Sequence, residues 1–252
     1  MESNYHTHTT FCDGENSPEE LVAEAIRLGC PEIGFSGHSY LEEDSGCMSE
    51  QGTKEYCREI RRLQEKYRDL ITIHLGIEQD IFSEVDRKEF DYIIGAVHYV
   101  EKNGRKYAVD ESKEGFLFLL EEIYAGDAYA LTEDYYALVS QVYQRTHCDI
   151  IAHFDLITKY NEEGSYFDTD HPRYRSAAEG ALDALLPSPC LLEVNTGAMA
   201  RGYRAEPYPE KRLLDRWLAS GKELIFSSDC HEKQNLLFGF DRLKALKHRD
   251  RL

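Results

Sequence analysis

The stretch Leu224-Ile225-Phe226-Ser227-Ser228-Asp229-Cys230-His231 decides how the chain is read. A short apolar run closes on an aspartate and a histidine two positions apart. In an extended strand, residues two apart share a face, so Asp229 and His231 are expected to point the same way. The other end of the chain repeats the device. Tyr5-His6-Thr7-His8 carries two imidazoles at that spacing, with Asp13 and a Gly14 turn just beyond. Five further apolar runs finish in the same manner, on Ser36-Gly37-His38, Gly76-Ile77-Glu78, Gly95-Ala96-Val97-His98, Ala152-His153 and Glu193-Val194-Asn195. If these runs are parallel strands of one barrel, their ends share a rim, and such barrels keep their chemistry there. First and last strands of a closed barrel are neighbours, so the two pairs should face each other.

Helical patterns separate the runs. Ser17-Pro18-Glu19-Glu20 reads as a capping box with proline in the first turn, and Leu21, Ala25 and Leu28 form an apolar face that Gly29 ends. Further helices are expected over 55–67, 116–124, 135–143, 175–186 and 209–219. Strands are expected at 4–8, 32–35, 71–77, 90–97, 149–153, 191–194 and 224–227. The 90–97 run is apolar almost throughout, as a strand buried on both faces would be. The polar stretch 41–53 reads as a long loop over the rim. Strand–helix alternation from end to end implies parallel βα units, α/β class, in a single domain over 1–252.

Composition narrows the function. Of 252 residues, 42% are hydrophobic and 30% charged, enough for a sizeable core and a solvated surface. The formal net charge of −18 repels a nucleic-acid backbone, so none is expected as a partner. It also repels a small phosphate ester, which must then be drawn in by local positive charge such as bound metal. No run approaches the roughly 20 apolar residues of a membrane span, and no secretory leader is seen, so a cytoplasmic protein is expected. The 7 cysteines contain no CxxC pair and suit a reducing compartment. Cys230 sits between Asp229 and His231, but strand alternation turns it away, and it reads as a buried structural thiol.

Of the 10 histidines, His6, His8, His38, His98, His153 and His231 fall at run ends. His74, His147, His171 and His248 lie off the pattern and are expected in surface or capping roles. Imidazoles and carboxylates gathered on one rim are what a multi-metal hydrolytic site requires. Glu78 is the candidate carboxylate bridge, because one carboxylate can bind two ions.

These motifs, from His6 to His231, resemble the polymerase-and-histidinol-phosphatase (PHP) superfamily, in particular its histidinol-phosphatase branch. The resemblance implies a distorted (β/α)7 barrel with the active site at the C-terminal ends of the strands. It implies three divalent transition metals (Zn, Fe or Mn). His6, His8, Glu78 and Asp229 would hold one, Glu78, His98 and His153 the second, and Asp13, His38 and His231 the third. Two positions depart from relatives: Ser36 precedes Gly37-His38 where many carry an acidic residue, and Asp13 stands where some carry histidine. The implied activity is hydrolysis of a phosphomonoester, L-histidinol phosphate in histidine biosynthesis, by attack of a metal-bridging hydroxide. Glu78, Asp229 and His231 would be catalytic, with Asp229 or His231 passing a proton to the leaving alkoxide.

Lys159, Arg201 and Arg204 follow strand ends and are the candidate phosphate clamp. Asn195 is expected to orient the loop that carries the two arginines. Glu42, Glu43 and Asp44, on the rim loop, are read as solvated, with attraction of a substrate ammonium as the alternative. Competing readings are a phosphoesterase acting on phosphotyrosine or a nucleotide, and a catalytically silent interaction module. An amidohydrolase would usually place a lysine where Glu78 or His98 stands.

Overall fold

A computed structural model describes residues 2–42 and 44–247. Glu43 and His248 lie outside the described residues. Eight strands form in chain order: β1 (Glu32–Phe35), β2 (Thr72–Asp80), β3 (Tyr92–Ala96), β4 (Tyr99–Lys102), β5 (Arg105–Ala108), β6 (Ile150–Ile151), β7 (Leu191–Asn195) and β8 (Leu224–Ser227). Six build one sheet in the order β1-β2-β3-β6-β7-β8, with every neighbouring pair parallel. β4 and β5 form a separate antiparallel hairpin.

The helices are α1 (Pro18–Leu28), α2 (Glu50–Tyr67), α3 (Lys113–Phe118), α4 (Ala128–Val139), α5 (Val142–Thr146), α6 (Pro172–Leu185), α7 (Gly197–Ala200), α8 (Lys211–Ala219) and α9 (Phe240–Lys247). α1 has the expected capping box and ends on Gly29 at φ 74°, a left-handed conformation glycine adopts without strain. Among the described residues no helix is long and apolar enough to cross a membrane.

The expected first strand is not a regular ladder. Residues 4–8 touch the sheet through single bridges, Asn4 with Ile33 in β1 and Thr7 with Cys230 beyond β8. The segment thus reaches both edge strands, and the sheet curls around it. Side chains replace ladder bonds here: Asn4 Nδ2 donates to Ser228 Oγ and to the Leu236 carbonyl, and Thr7 Oγ1 donates to the Gly34 carbonyl.

Strand alternation sorts the interior. Tyr92, Ile94, Ala96, Ile150 and Ala152 cluster with Tyr5, Leu191 and Ile225 on one side, while Ile93 packs with the helices on the other. On β2 the side facing Tyr92 belongs to Gly76 and then, two residues on, to Glu78. Only glycine fits at 76, because a Cβ there would lie 2.2 Å from Tyr92 Cζ.

Other boundaries differ from expectation for identifiable reasons. α2 begins at Glu50, capped by Ser49, so the rim loop is shorter than 41–53; a polar first turn hid the helix. One helix expected at 135–143 is α4, capped by Asp127, followed by the separate α5. β6 is only Ile150–Ile151, and the charged tail includes α9. The hairpin was unexpected, although Asn103 and Gly104 at its tip adopt φ 53° and 74°, the conformation that Asn-Gly turns supply. His147 caps α5 at φ 49°, and His171 caps α6 by accepting from the Arg173 amide.

Replacing Gly76 by alanine should destabilise the protein by about 1–3 kcal/mol through overpacking against Tyr92. Gly180 in α6 has nothing within 4 Å of its Cβ position. Alanine there should be neutral or stabilise by up to about 1 kcal/mol. Urea denaturation of the two variants measures the contrast.

Candidate metal centre

Glu78 stands at the convergence of the strand ends. Its backbone is fixed on both sides: its N–H donates to Gly37 O, and its carbonyl accepts from Ser39 N–H. Its carboxylate is 1% exposed, and the two oxygens face different imidazoles. Glu78 Oε2 lies 3.3 Å from His6 Nε2, 3.5 Å from His8 Nε2 and 3.0 Å from His38 Nδ1. Glu78 Oε1 lies 2.9 Å from His153 Nε2 and 3.4 Å from His98 Nε2. Asp229 Oδ1 completes the first group, 3.2 Å from His8 Nε2 and 3.6 Å from His6 Nε2. Asp13 Oδ2 lies 3.1 Å from His231 Nε2 and 3.6 Å from His38 Nε2.

The donor set fits divalent metal. His6 Nε2, His8 Nε2 and Glu78 Oε2 are buried without a hydrogen-bond partner, an arrangement costly unless an ion binds them. Donors around a tetrahedral ion at 2.0–2.1 Å lie about 3.4 Å apart, which matches the 3.2–3.6 Å spacings among the four atoms. By spacing, three overlapping groups could each hold an ion: His6, His8 and Asp229; His8, Asp13, His38 and His231; and His38, Glu78 and His98. His38 therefore stands between two groups, where the sequence reading gave it to one, and His153 approaches Glu78 Oε1 from the far side.

Asp229 and His231 meet the cluster by a route that strand alternation does not describe. β8 ends at Ser227, and Asp229 adopts φ 45°, so a left-handed residue turns the chain there. Cys230 is 2% exposed, its carbonyl accepts from His8 N–H, and burial pushes its thiol up to about 12.

A second ring of carboxylates orients the imidazoles. Glu193 Oε1 lies 2.6 Å from His6 Nδ1, and Glu193 Oε2 accepts from the His153 backbone N–H and from Asn195 Nδ2. Asp80 Oδ2 accepts from His98 N–H and lies 3.2 Å from His98 Nδ1. Neither was singled out from sequence, although each sits two residues from a noted motif position. Asn195 also donates to Asp229 Oδ2, and its backbone pairs with Tyr208 at the end of the arginine loop.

The electrostatics call for positive charge. Burial disfavours a charged His6, but Glu193, Glu78 and Asp229 outweigh it and lift the imidazole to about 10. His38 rises to about 10 against the same burial, through Glu78 and Asp13. Burial pushes Glu78 up, yet His6, His38 and His98 hold it well below the carboxylate range.

A cavity of about 800 Å³ opens above the cluster. Arg201 lines it and donates to Asp229 O at 3.1 Å and Oδ2 at 3.4 Å, with Nη1 3.0 Å from His231 Nδ1. Lys159 lines it too, its ammonium bound to Asp110 O at 2.6 Å and Oδ2 at 3.2 Å. Arg204 is not brought to the cavity. It donates to Thr158 O and Oγ1 and pairs with Glu162 at 2.8 Å, so it straps the loop down instead.

The PHP domain family model matches residues 4–197, and the chain belongs to that family. It is 28% identical over 255 aligned residues to a probable histidinol-phosphatase of Deinococcus radiodurans, covering 96% of this chain and 91% of that one. It is 27% identical to a histidinol-phosphatase of Lactococcus lactis, covering 90% and 83%. Among solved structures, one from Listeria monocytogenes superposes with TM-score 0.82 at 20% identity, covering 96% of this chain and 99% of that one. The Lactococcus lactis histidinol phosphate phosphatase, complexed with zinc, L-histidinol and phosphate, gives TM-score 0.69 at 23% identity, covering 97% and 93%. These likenesses show the α/β fold with its curled parallel sheet.

Replacing Glu193 by glutamine should weaken metal binding about 10- to 100-fold, because His6 loses its orienting carboxylate. Equilibrium dialysis against zinc measures it. Zinc uptake at pH 7.5 should release protons, since imidazoles lifted to about 10 hold protons there that the metal displaces. Calorimetry in buffers of different ionisation enthalpy counts them.

Proposed function

We propose that this protein is a metal-dependent phosphomonoesterase whose substrate is L-histidinol phosphate, acting in histidine biosynthesis in the cytoplasm. The observation that carries the reading is the convergence of His6 Nε2, His8 Nε2 and Glu78 Oε2, buried and unpartnered, on Asp229 at the floor of a cavity that also holds Arg201. The relatives named as histidinol-phosphatases, matched over most of their length, supply the substrate. Residues 1–252 are read as one domain with the N-terminal segment as the seventh stave of a distorted (β/α)7 barrel. Three divalent ions, of Zn, Fe or Mn, are assigned to the donor groups around Glu78 and Asp13.

Bound ions would bring the pKa of coordinated water toward neutrality and polarise the phosphoryl oxygens. The chain's own residues do the rest. Glu78 presents one oxygen to each of two donor groups and so fixes the distance between them. Glu193, Asp80 and Asp13 hold His6, His98 and His8 in orientation through their Nδ1 atoms. Arg201 spends Nη1 on Asp229 O and His231 Nδ1 and one Nη2 hydrogen on Asp229 Oδ2, which leaves Nε–H and the second Nη2 hydrogen for phosphoryl oxygens. Lys159 adds positive charge to the cavity wall. Asp229 and His231 stand nearest Arg201 and are the candidates to hand a proton to the departing alkoxide.

Replacing Glu78 by alanine should abolish phosphate release from histidinol phosphate and lower bound metal, measured by metal analysis with a phosphate assay. Turnover near the wild-type rate would sink the scheme. Replacing Arg201 by methionine should raise the Michaelis constant about tenfold or more, the worth of a charge-assisted hydrogen bond. Replacing Arg204 by methionine should act on thermal stability instead, since its partners are Thr158 and Glu162.

A further inference from the structure

We propose that Asp44 receives a positively charged group carried next to the ester carbon of the substrate, so that the site selects 2-aminoalkyl phosphates over neutral phosphomonoesters. The inference rests on the phosphomonoesterase reading above and names the determinant of its specificity.

Asp44 lines the same cavity as Glu78, His38 and Asp13. Both its oxygens are held by neutral donors. Tyr99 Oη donates to Oδ2 at 2.5 Å, and the Gly46 backbone N–H donates to Oδ1 at 2.7 Å. Among the described residues no Lys, Arg or His forms an ion pair with it, whereas Asp110, another carboxylate on the wall, is taken by Lys159. A half-buried carboxylate fixed by two dipoles, with no cation in direct contact, gains from one that enters beside it. Burial pushes the group up, but the Tyr99 hydroxyl, the Gly46 amide, the Cys47 thiol and the nearby His38 imidazole together keep it below the usual carboxylate range.

Position supports the choice. Gly46 packs toward the cluster, where an added Cβ would lie 3.2 Å from Asp44 Oδ1 and 3.8 Å from Asp13 Cβ. Asp44 therefore stands close to the Asp13 donor group, on the wall that an ammonium three bonds from the ester oxygen would face. The loop is anchored at its end by Met48, 1% exposed, whose N–H donates to His38 O. Tyr99 opens the β4–β5 hairpin, so the hairpin and the rim loop together make this wall, and the Tyr99–Asp44 hydrogen bond joins them.

The test compares wild-type holoenzyme with Asp44→Asn and Tyr99→Phe on matched substrates. L-histidinol phosphate is set against p-nitrophenyl phosphate, and 2-aminoethyl phosphate against the isosteric propyl phosphate. Metal content is measured alongside. The expected result is a fall of at least about tenfold in the kcat/KM ratio of amine-bearing to neutral ester for Asp44→Asn. The fall should lie mostly in KM, with a smaller fall in the same direction for Tyr99→Phe. Equal losses on both members of a pair, or no loss on either, would overturn the assignment. If wild-type enzyme is inert toward histidinol phosphate, the substrate reading fails by itself, and the aminoethyl and propyl pair still decides the role of Asp44.

Discussion

A carboxylate buried to 1% exposure at the meeting point of five imidazoles is the constraint on which the structure depends. An ionised Glu78 with no positive charge nearby would cost several kcal/mol in such a setting. Its environment is arranged to remove that cost. The chain brings His6 and His8 from its N-terminal segment, His38 from beyond β1, His98 from beyond β3 and His153 from beyond β6. They arrive from four separate segments, so the curl of the sheet and the charge at its mouth are one problem. A flat sheet would spread the same ligands along an edge.

The interior below the cluster is shaped by the same demand. Tyr92 fills the space under Glu78, and it fits only because Gly34 and Gly76 leave room for its ring. Its hydroxyl reaches the carbonyl oxygens of Tyr5 and Phe35, which ties the N-terminal segment to β1. Packing at the floor thus holds His6 and His8 at the height of Glu78. Around the imidazoles, Glu193, Asp80 and Asp13 take up the Nδ1 positions and leave Nε2 atoms pointing inward. The result is a strongly acidic centre within an acidic chain, which favours cations at its core and leaves Arg201 and Lys159 to meet an anion.

Much of this could be read in the chain before any coordinates. The run ends at Glu78, His98 and His153 lie where the pattern puts them, because alternation and apolar run length are local properties. The β4–β5 hairpin escaped the sequence reading despite its Asn103-Gly104 tip, because the short runs around it are half-polar and give no clear period. α2 hid its first turn because Glu50-Gln51-Gly52-Thr53 carries no apolar residue. Glu193 escaped notice as a site residue because an acidic side chain inside an apolar run says nothing about which imidazole it will meet. Arg201 and Arg204, three residues apart on one loop, look alike in sequence, yet one lines the cavity and the other binds Thr158 and Glu162.

The sequence by itself determined the class of fold, the family and the residue types at each strand end, since these follow from periodicity, capping and motif spacing along a local stretch. Tertiary structure alone decided how the ligands are grouped, that Asp229 joins them through a left-handed turn, and that Asp44 stands beside the cluster bound by neutral donors and no direct ion pair. The physical reason is distance. Metal coordination and charge compensation act over a few ångströms between atoms more than 200 residues apart in the chain, as His6 and Asp229 are. No local pattern encodes which of those atoms will meet.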